Sequence, residues 1–207
     1  MSVYRTYIQQ LTYDGRNYTR GSVVDLLERF HIISQEFPFM KNPKPKDLPT
    51  RDWAGEDGLD VYIPDNIPMK DYETEVTFLY VRNTSDNGNS GIIGETAEET
   101  RDRLMRKDIT DFLSFLYGRI GSGVPGDTVQ SGRLAVYDEL TGIGRKDVVV
   151  AEVDNELFYV SDNDSDVVVK FKVKFTVYDP TTDVRPATGQ NGLIVKPITT
   201  LNFQVPA

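Results

Sequence analysis

Residues 166–180, DVVVKFKVKFTVYDP, decide the fold. Val167, Val169, Phe171, Val173, Phe175 and Val177 alternate with Lys170, Lys172, Lys174 and Thr176. Successive side chains of an extended chain point to opposite faces, so this pattern predicts one long strand with a dry face and a basic wet face. Asp179-Pro180 ends it, because proline has no N–H to give to a ladder.

A strand of this kind needs a partner, and residues 72–81 have matching chemistry. Tyr72, Thr74, Val76, Phe78 and Tyr80 share one face, and Glu73, Glu75 and Thr77 share the other. The wet face is acidic here and basic in 166–180, so pairing the two strands sets opposite charges across the ladder. The dry faces need a cover. Thr96-x-x-Glu99 has the form of a capping box, and Leu104, Met105, Ile109, Phe112, Leu113 and Leu116 follow at three- and four-residue spacing. That predicts a helix over Thr96–Tyr117 with a single apolar stripe, stopped by Gly118.

Working outward, Asp14-Gly15 is a turn signal that predicts a hairpin between Thr6 and Thr19. Residues 21–35 suit a short helix or an irregular segment, although Ile32-Ile33 suits a strand. Four prolines between Phe37 and Pro49 predict an extended connection over the surface, with its flanking aromatics docked. Asn83 to Gly94, NTSDNGNSGIIG, reads as a polar, glycine-rich loop. After Gly132 the chain reads as a β-meander: Arg133–Leu140, then Lys146–Val153, then a turn at Asp154-Asn155 into Leu157–Val160. Past Pro180, residues 181–207 are too apolar for a free linker (Ile194, Val195, Ile198, Leu201, Phe203) and are expected to dock on this subunit or a neighbour. The expected fold is α+β: an antiparallel β-sandwich or curved sheet with one main helix packed on it, a body at 1–180 and a C-terminal arm at 181–207.

The composition narrows the function. With 207 residues and 39% hydrophobic content a packed core is expected. A net charge of −9 argues against a surface that grips nucleic acid as a whole. There is no cysteine, which excludes thiolate chemistry, disulfides and Cys-based zinc sites. The single histidine, His31, leaves little room for histidine-based catalysis or metal binding. No apolar run reaches the roughly 20 residues of a membrane helix, and MSVYRTYIQQ lacks a signal-peptide layout. The expectation is a protein folded in a cytoplasm.

The remaining candidates are weak. Asp162-Asn163-Asp164-Ser165-Asp166 opens like a calcium loop. The sixth and twelfth positions are Val167 and Val173, where glycine and glutamate are needed. Gly121-Ser122-Gly123 follows a helix, whereas a phosphate cradle precedes one. Gly142-Ile143-Gly144 reads as a turn. Glu56 and Asp57 are too ordinary in an acidic chain to indicate acid–base work. No Gly-x-Ser-x-Gly elbow is present. The expectation is a non-enzyme without cofactor or metal. The lysine row Lys170/Lys172/Lys174 has three open readings: a solvated face, an edge protected against aggregation, or a subunit contact.

The order of these elements is similar to the N-terminal domain of distal tail proteins of long-tailed bacteriophages. The elements that carry the likeness are the N-terminal strand with its polar turn, the turn Trp53-Ala54-Gly55-Glu56-Asp57-Gly58, the alternating strand Tyr72–Val81, the helix Thr96–Tyr117, the meander, and the last strand ending at Asp179-Pro180. Glu56 stands where the family often carries arginine. The resemblance covers about residues 5–180. It implies a structural protein of a phage or prophage virion tail, assembled in the bacterial host cytoplasm. Such subunits form a homo-oligomeric ring, a hexamer in that family, at the tail tip or baseplate hub. The ring joins the tail tube to the adsorption apparatus and other tail proteins, and DNA passes without specific binding. Tail tube and tail terminator proteins have related layouts and are the alternative. The residues expected at subunit interfaces are Trp53, Gly55, Asp57, Gly58, Glu73, Glu75, Lys170, Lys172, Lys174, Ile194 and Phe203, together with the Asn83–Gly94 loop. A competing class is a glycan-binding sandwich using Tyr13, Tyr18 and Trp53.

Overall fold

The computed structural model describes residues 4–36, 39, 43–52, 60–83, 96–154, 157–162 and 166–185. In chain order the elements are β1 (Thr6–Tyr13), β2 (Tyr18–Asp25), α1 (Leu26–Phe30), β3 (Ile32–Glu36), β4 (Thr50–Arg51), β5 (Asp60–Val61), β6 (Tyr72–Asn83), α2 (Ala97–Leu116), β7 (Leu134–Asp138), β8 (Gly144–Val153), β9 (Phe158–Asp162) and β10 (Asp166–Val177). The protein is α+β and dominated by one antiparallel sheet, ordered β2-β1-β7-β8-β10-β6-β3, with β9 also paired to β10.

The 166–180 strand is central. Along one side β10 pairs with β6 from Asp166↔Asn83 to Val177↔Tyr72. Along its other side β8 covers Val173–Val177 and β9 covers Val167–Lys170. The partners fall steadily from Asp162 to Val148 as β10 advances from Val167 to Val177, so β8 and β9 are two segments of one row running the same way. The expected reversal at Asp154-Asn155 is therefore absent. β9 runs along β10 in the same direction as β8, and the next change of strand direction is between β9 and β10.

The sheet curls. Its two outermost strands, β2 and β3, are consecutive in sequence and joined only by the five residues of α1 and by His31. Both edges must therefore come close together. Thr6 lies on the same face of β1 as Ile8, and Ser34 on the same face of β3 as Ile32. Their hydroxyl oxygens meet at 2.7 Å, which makes the apolar face the concave one. Buried Asp138 closes that end, accepting hydrogen bonds from Thr6 Oγ1 (3.0 Å), Ser34 Oγ (3.2 Å) and the Thr141 backbone N–H (3.0 Å).

The segment expected to be a short helix or irregular is divided between three elements. β2 continues to Asp25, whose carboxylate caps α1 by accepting from the Leu27 N–H at 2.9 Å. His31 ends α1 at φ 58°. Histidine is among the few non-glycine residues that adopt this left-handed conformation with any frequency.

Helix α2 fills the concavity. The capping box forms as expected: the Glu99 N–H donates to Thr96 Oγ1 (3.2 Å) and the Thr96 N–H donates to Glu99 Oε2 (2.9 Å). Met105, Ile109, Phe112, Phe115 and Leu116 are buried, while Leu104 and Leu113 are only partly so. The Phe112 ring lies 5.2 Å from Phe78, 5.6 Å from Phe30 and 6.0 Å from Phe171, joining α2 to β6, α1 and β10. The last turn of a helix has carbonyls with no partner in the helix. Buried Gln10 reaches from β1 and donates to Phe115 O (2.6 Å) and to Ile120 O (2.9 Å). The expected docking of aromatics from the proline-rich connection is seen at Phe39, which is buried 5.8 Å from the Phe175 ring.

A second, smaller cluster lies on the opposite face, where Tyr7, Leu11 and Ala135 pack with Val184. The chain beyond Asp179-Pro180 thus remains on the body as far as residue 185. Val184 N–H donates to Gly144 O at 3.2 Å, and Lys146 holds Asp179 at 3.1 Å.

Candidate functional site

The wet face of β10 is the convex face of the curled sheet. Lys172 lies across from Thr77 and Lys174 across from Glu75. Neither lysine bonds to the residue directly opposite. Lys172 pairs with Glu75 and Lys174 with Glu73, each at 2.7 Å and each one diagonal step along β6. Long side chains reach diagonal neighbours easily in a sheet. Hydrogen bonding to these glutamates raises the pKa of both lysines. The sequence-predicted residues Glu73, Glu75, Lys172 and Lys174 are therefore brought together within one subunit. Lys170 stands apart, across from Leu79 of β6 and Phe158 of β9. Glu152 of β8 lies opposite Lys174 on the other side. With Val153 and Asp154 these groups line an open groove of about 440 Å³. It has polar walls and no aromatic floor.

Trp53, Gly55, Asp57, Gly58, Ile194, Phe203 and residues 84–94 of the expected loop lie outside the described residues, and Asn83, expected to open that loop, ends β6. What leads towards the Trp53–Gly58 turn is described, and it is the feature that sequence reasoning missed. Residues 43–52 and 60–71 run antiparallel as a ribbon. Lys70 N–H donates to Lys44 O (2.7 Å), Lys46 N–H to Pro68 O (2.8 Å) and Tyr62 N–H to Pro49 O (3.1 Å). Thr50 pairs with Val61 and Arg51 with Asp60. Almost every side chain of this arm is exposed or only partly buried, including Val61, Tyr62, Ile63 and Ile67. The four prolines were a legible signal of an extended segment, but its apolar exposure was not legible.

Of the residues offered for sugar stacking, Tyr13 and Tyr18 are already engaged, and Trp53 lies outside the described residues. Tyr13 and Tyr18 pack against each other with ring centroids 4.8 Å apart. Arg133 lies 5.4 Å from the Tyr13 ring and Lys146 5.1 Å from the Tyr18 ring. The Tyr18 hydroxyl donates to Asp147 at 2.6 Å.

His31 has a structural partner. Its Nδ1 lies 3.3 Å from Asp108 Oδ2 on α2, and the same carboxylate oxygen receives Arg82 Nη1 and the Tyr80 hydroxyl, each at 3.0 Å. Burial pushes the Asp108 carboxyl up, but the contacts from His31, Tyr80 and Arg82 outweigh it and hold the pKa below its ordinary value of 3.8. A depressed folded-state pKa contributes stability that is present above the unfolded value and is lost as pH falls through the folded one. The stability gap between the native protein and Asp108→Asn is therefore expected to stay level from pH 7 to about 5 and to shrink below about pH 4. Denaturant melts of both proteins across pH check this, and an equal gap at pH 7 and pH 3 would contradict it.

Among the described residues, no group of three or more His, Asp or Glu side chains is placed to hold a metal ion. No described helix is long and apolar enough to cross a membrane. Gly118, Gly123 and Gly142 adopt positive φ, and Gly121-Ser122-Gly123 lies after α2 and not before a helix. No protein-family model matches the chain, and no curated protein matches it.

Proposed function

We propose that this protein is a self-assembling structural component of a phage or prophage tail, a ring-forming subunit of the distal tail type. The observation that carries the reading is the 43–71 arm. A two-stranded ribbon that leaves Val61, Tyr62, Ile63 and Ile67 exposed is unfavourable for a monomer. It is useful to a subunit that buries those side chains on assembly. The likeness in element order to distal tail proteins supplies the kind of assembly. Two further features support the reading. Lys172 and Lys174 of the convex row are neutralised within the subunit, so two copies can approach there without a strong local field. The net charge of −9 suits a ring whose channel passes DNA without holding its phosphates. The reading includes no catalytic role.

Negative-stain images of the full chain at high protein concentration test it. The expected result is closed rings with a central opening, because a head-to-tail contact closes when its rotation divides a full turn. Fields of single small particles at every concentration would count against it.

A further inference from the structure

The sheet has an open edge in its middle. Strand β7 pairs with β8 only as far as Leu134↔Val148, and beyond that point β8 pairs with β10 alone. Strand β9, which follows β8 along the same side of β10, also pairs with β10 alone. Among the described residues, the outer side of 149–153 and of β9 therefore faces no strand. This edge is also unguarded. Lysine and proline are among the residues that keep an exposed edge from pairing. Residues 149–153 (VVAEV) and 158–161 (FYVS) hold neither, and Glu152 is their one charge. The outermost strands differ: β2 carries Arg20, and β3 is short and is followed by Pro38. An unguarded edge with main-chain groups to satisfy is a site for an added strand.

The pattern that such a strand must have can be read from β8. Val148 and Val150 belong to the main core on the concave side, and Glu152 lines the polar convex groove. An added strand therefore needs apolar side chains on one face and polar ones on the other. Of the stretches outside the described residues, only 199–205 (TTLNFQV) has that form. Leu201, Phe203 and Val205 alternate there with Thr200, Asn202 and Gln204, without glycine, proline or charge. The other stretches are shorter or are interrupted by glycine or proline. The reach suffices. Val184 is fixed at the start of β8 by its N–H on Gly144 O at 3.2 Å. From Gly144 to Val153 the strand runs about 30 Å. The 13 residues between Arg185 and Thr199 can span about 45 Å. A tether of this length also keeps 199–205 at a high effective concentration near its own edge, which favours that edge over one on another molecule.

We infer that residues 199–205 add to the open β8–β9 edge of the same chain as a further strand, with Leu201, Phe203 and Val205 on the core side. An intrachain strand of this kind forms whether or not copies of the chain assemble. Hydrogen exchange of the full chain tests it, beside a full-length variant, Leu201→Asp with Phe203→Asp, that places charge on the face to be buried. The amides of 149–153 that do not bond to β10 should exchange at least about tenfold more slowly in the native chain than in the variant, at every protein concentration. Equal exchange in the two would overturn the inference. Protection that rises with protein concentration would also overturn it, in favour of an edge covered by a second copy. The chain has no cysteine, so disulfide trapping gives a second readout that does not depend on how the variant folds. Glu152→Cys combined in turn with Thr200→Cys, Asn202→Cys or Gln204→Cys should give an intrachain disulfide, at least about tenfold faster in the best pairing than with Glu28→Cys, a half-exposed position on α1, in place of Glu152→Cys. Equal rates at the two positions, or interchain products alone, would overturn it.

Discussion

Phe112→Ala is expected to destabilise the protein by about 3–5 kcal/mol, the usual range for removing a fully buried phenylalanine. Phe112 is inaccessible to solvent and packs against Phe30, Phe78 and Phe171, which belong to three different elements. Truncating it leaves a cavity between α2 and the sheet. The surrounding rings cannot easily collapse into that cavity, because each is held by its own strand or helix. The transfer and cavity contributions then add. Typical domains have only about 5–15 kcal/mol to lose, so the midpoint of a urea melt should move far to lower concentration. A loss under about 1 kcal/mol would mean that α2 does not cover the sheet as described.

Gly118→Ala is expected to cost about 2–4 kcal/mol, for two separable reasons. Gly118 closes α2 at φ +69°, a conformation that disfavours any Cβ. The added methyl would also stand 2.3 Å from Ser131 C, 2.5 Å from Gly132 N and 2.7 Å from Ser131 Cα. These are backbone atoms, so no side chain can swing aside, and the 131–132 segment must move off the helix end. Gly15→Ala provides the comparison. Gly15 has φ +95° but open space around its Cβ direction, so only the conformational cost of about 1 kcal/mol applies. Urea melts of the two variants separate these contributions. Equal losses would show that the close approach of 131–132 to Gly118 is not real.

The parts of this fold that were legible in the sequence are those where one period runs uninterrupted. Residues 169–177 of β10 and 72–78 of β6 alternate without a break, so their pairing and their buried face follow from side-chain direction. Helix α2 announces itself by Thr96 and Glu99 at one end and Gly118 at the other. What was not legible depends on contacts distant in sequence. Asp154-Asn155 has the composition of a reversal, but both flanking segments pair with the same edge of β10 and run in the same direction. Helix α1 is five residues long, too short for a period to show, and is defined by its caps Asp25 and His31.

The candidate site divides in the same way. Opposite charges on β6 and β10 could be read from the residues, but not the diagonal pairing, which is set by register. His31 read as a residue without a metal or catalytic partner. Its actual partner, Asp108, lies on an element far along the chain that only the folded sheet brings near. The arm was read through its prolines as a connection. Exposure of Val61, Tyr62 and Ile63 is a property of what fails to pack on them, and sequence carries no sign of that.

Assembly through the 43–71 arm, as proposed, makes the mass of the chain depend on its concentration. The most direct measurement is the mass of the full chain in solution over a hundredfold range of concentration, by sedimentation equilibrium, beside the Tyr62→Ser/Ile63→Ser variant. The native chain is expected to rise from the 23.4 kDa of one subunit to a discrete multiple of it, while the variant stays near one subunit. A native chain that remains at one subunit mass across the whole range would contradict it.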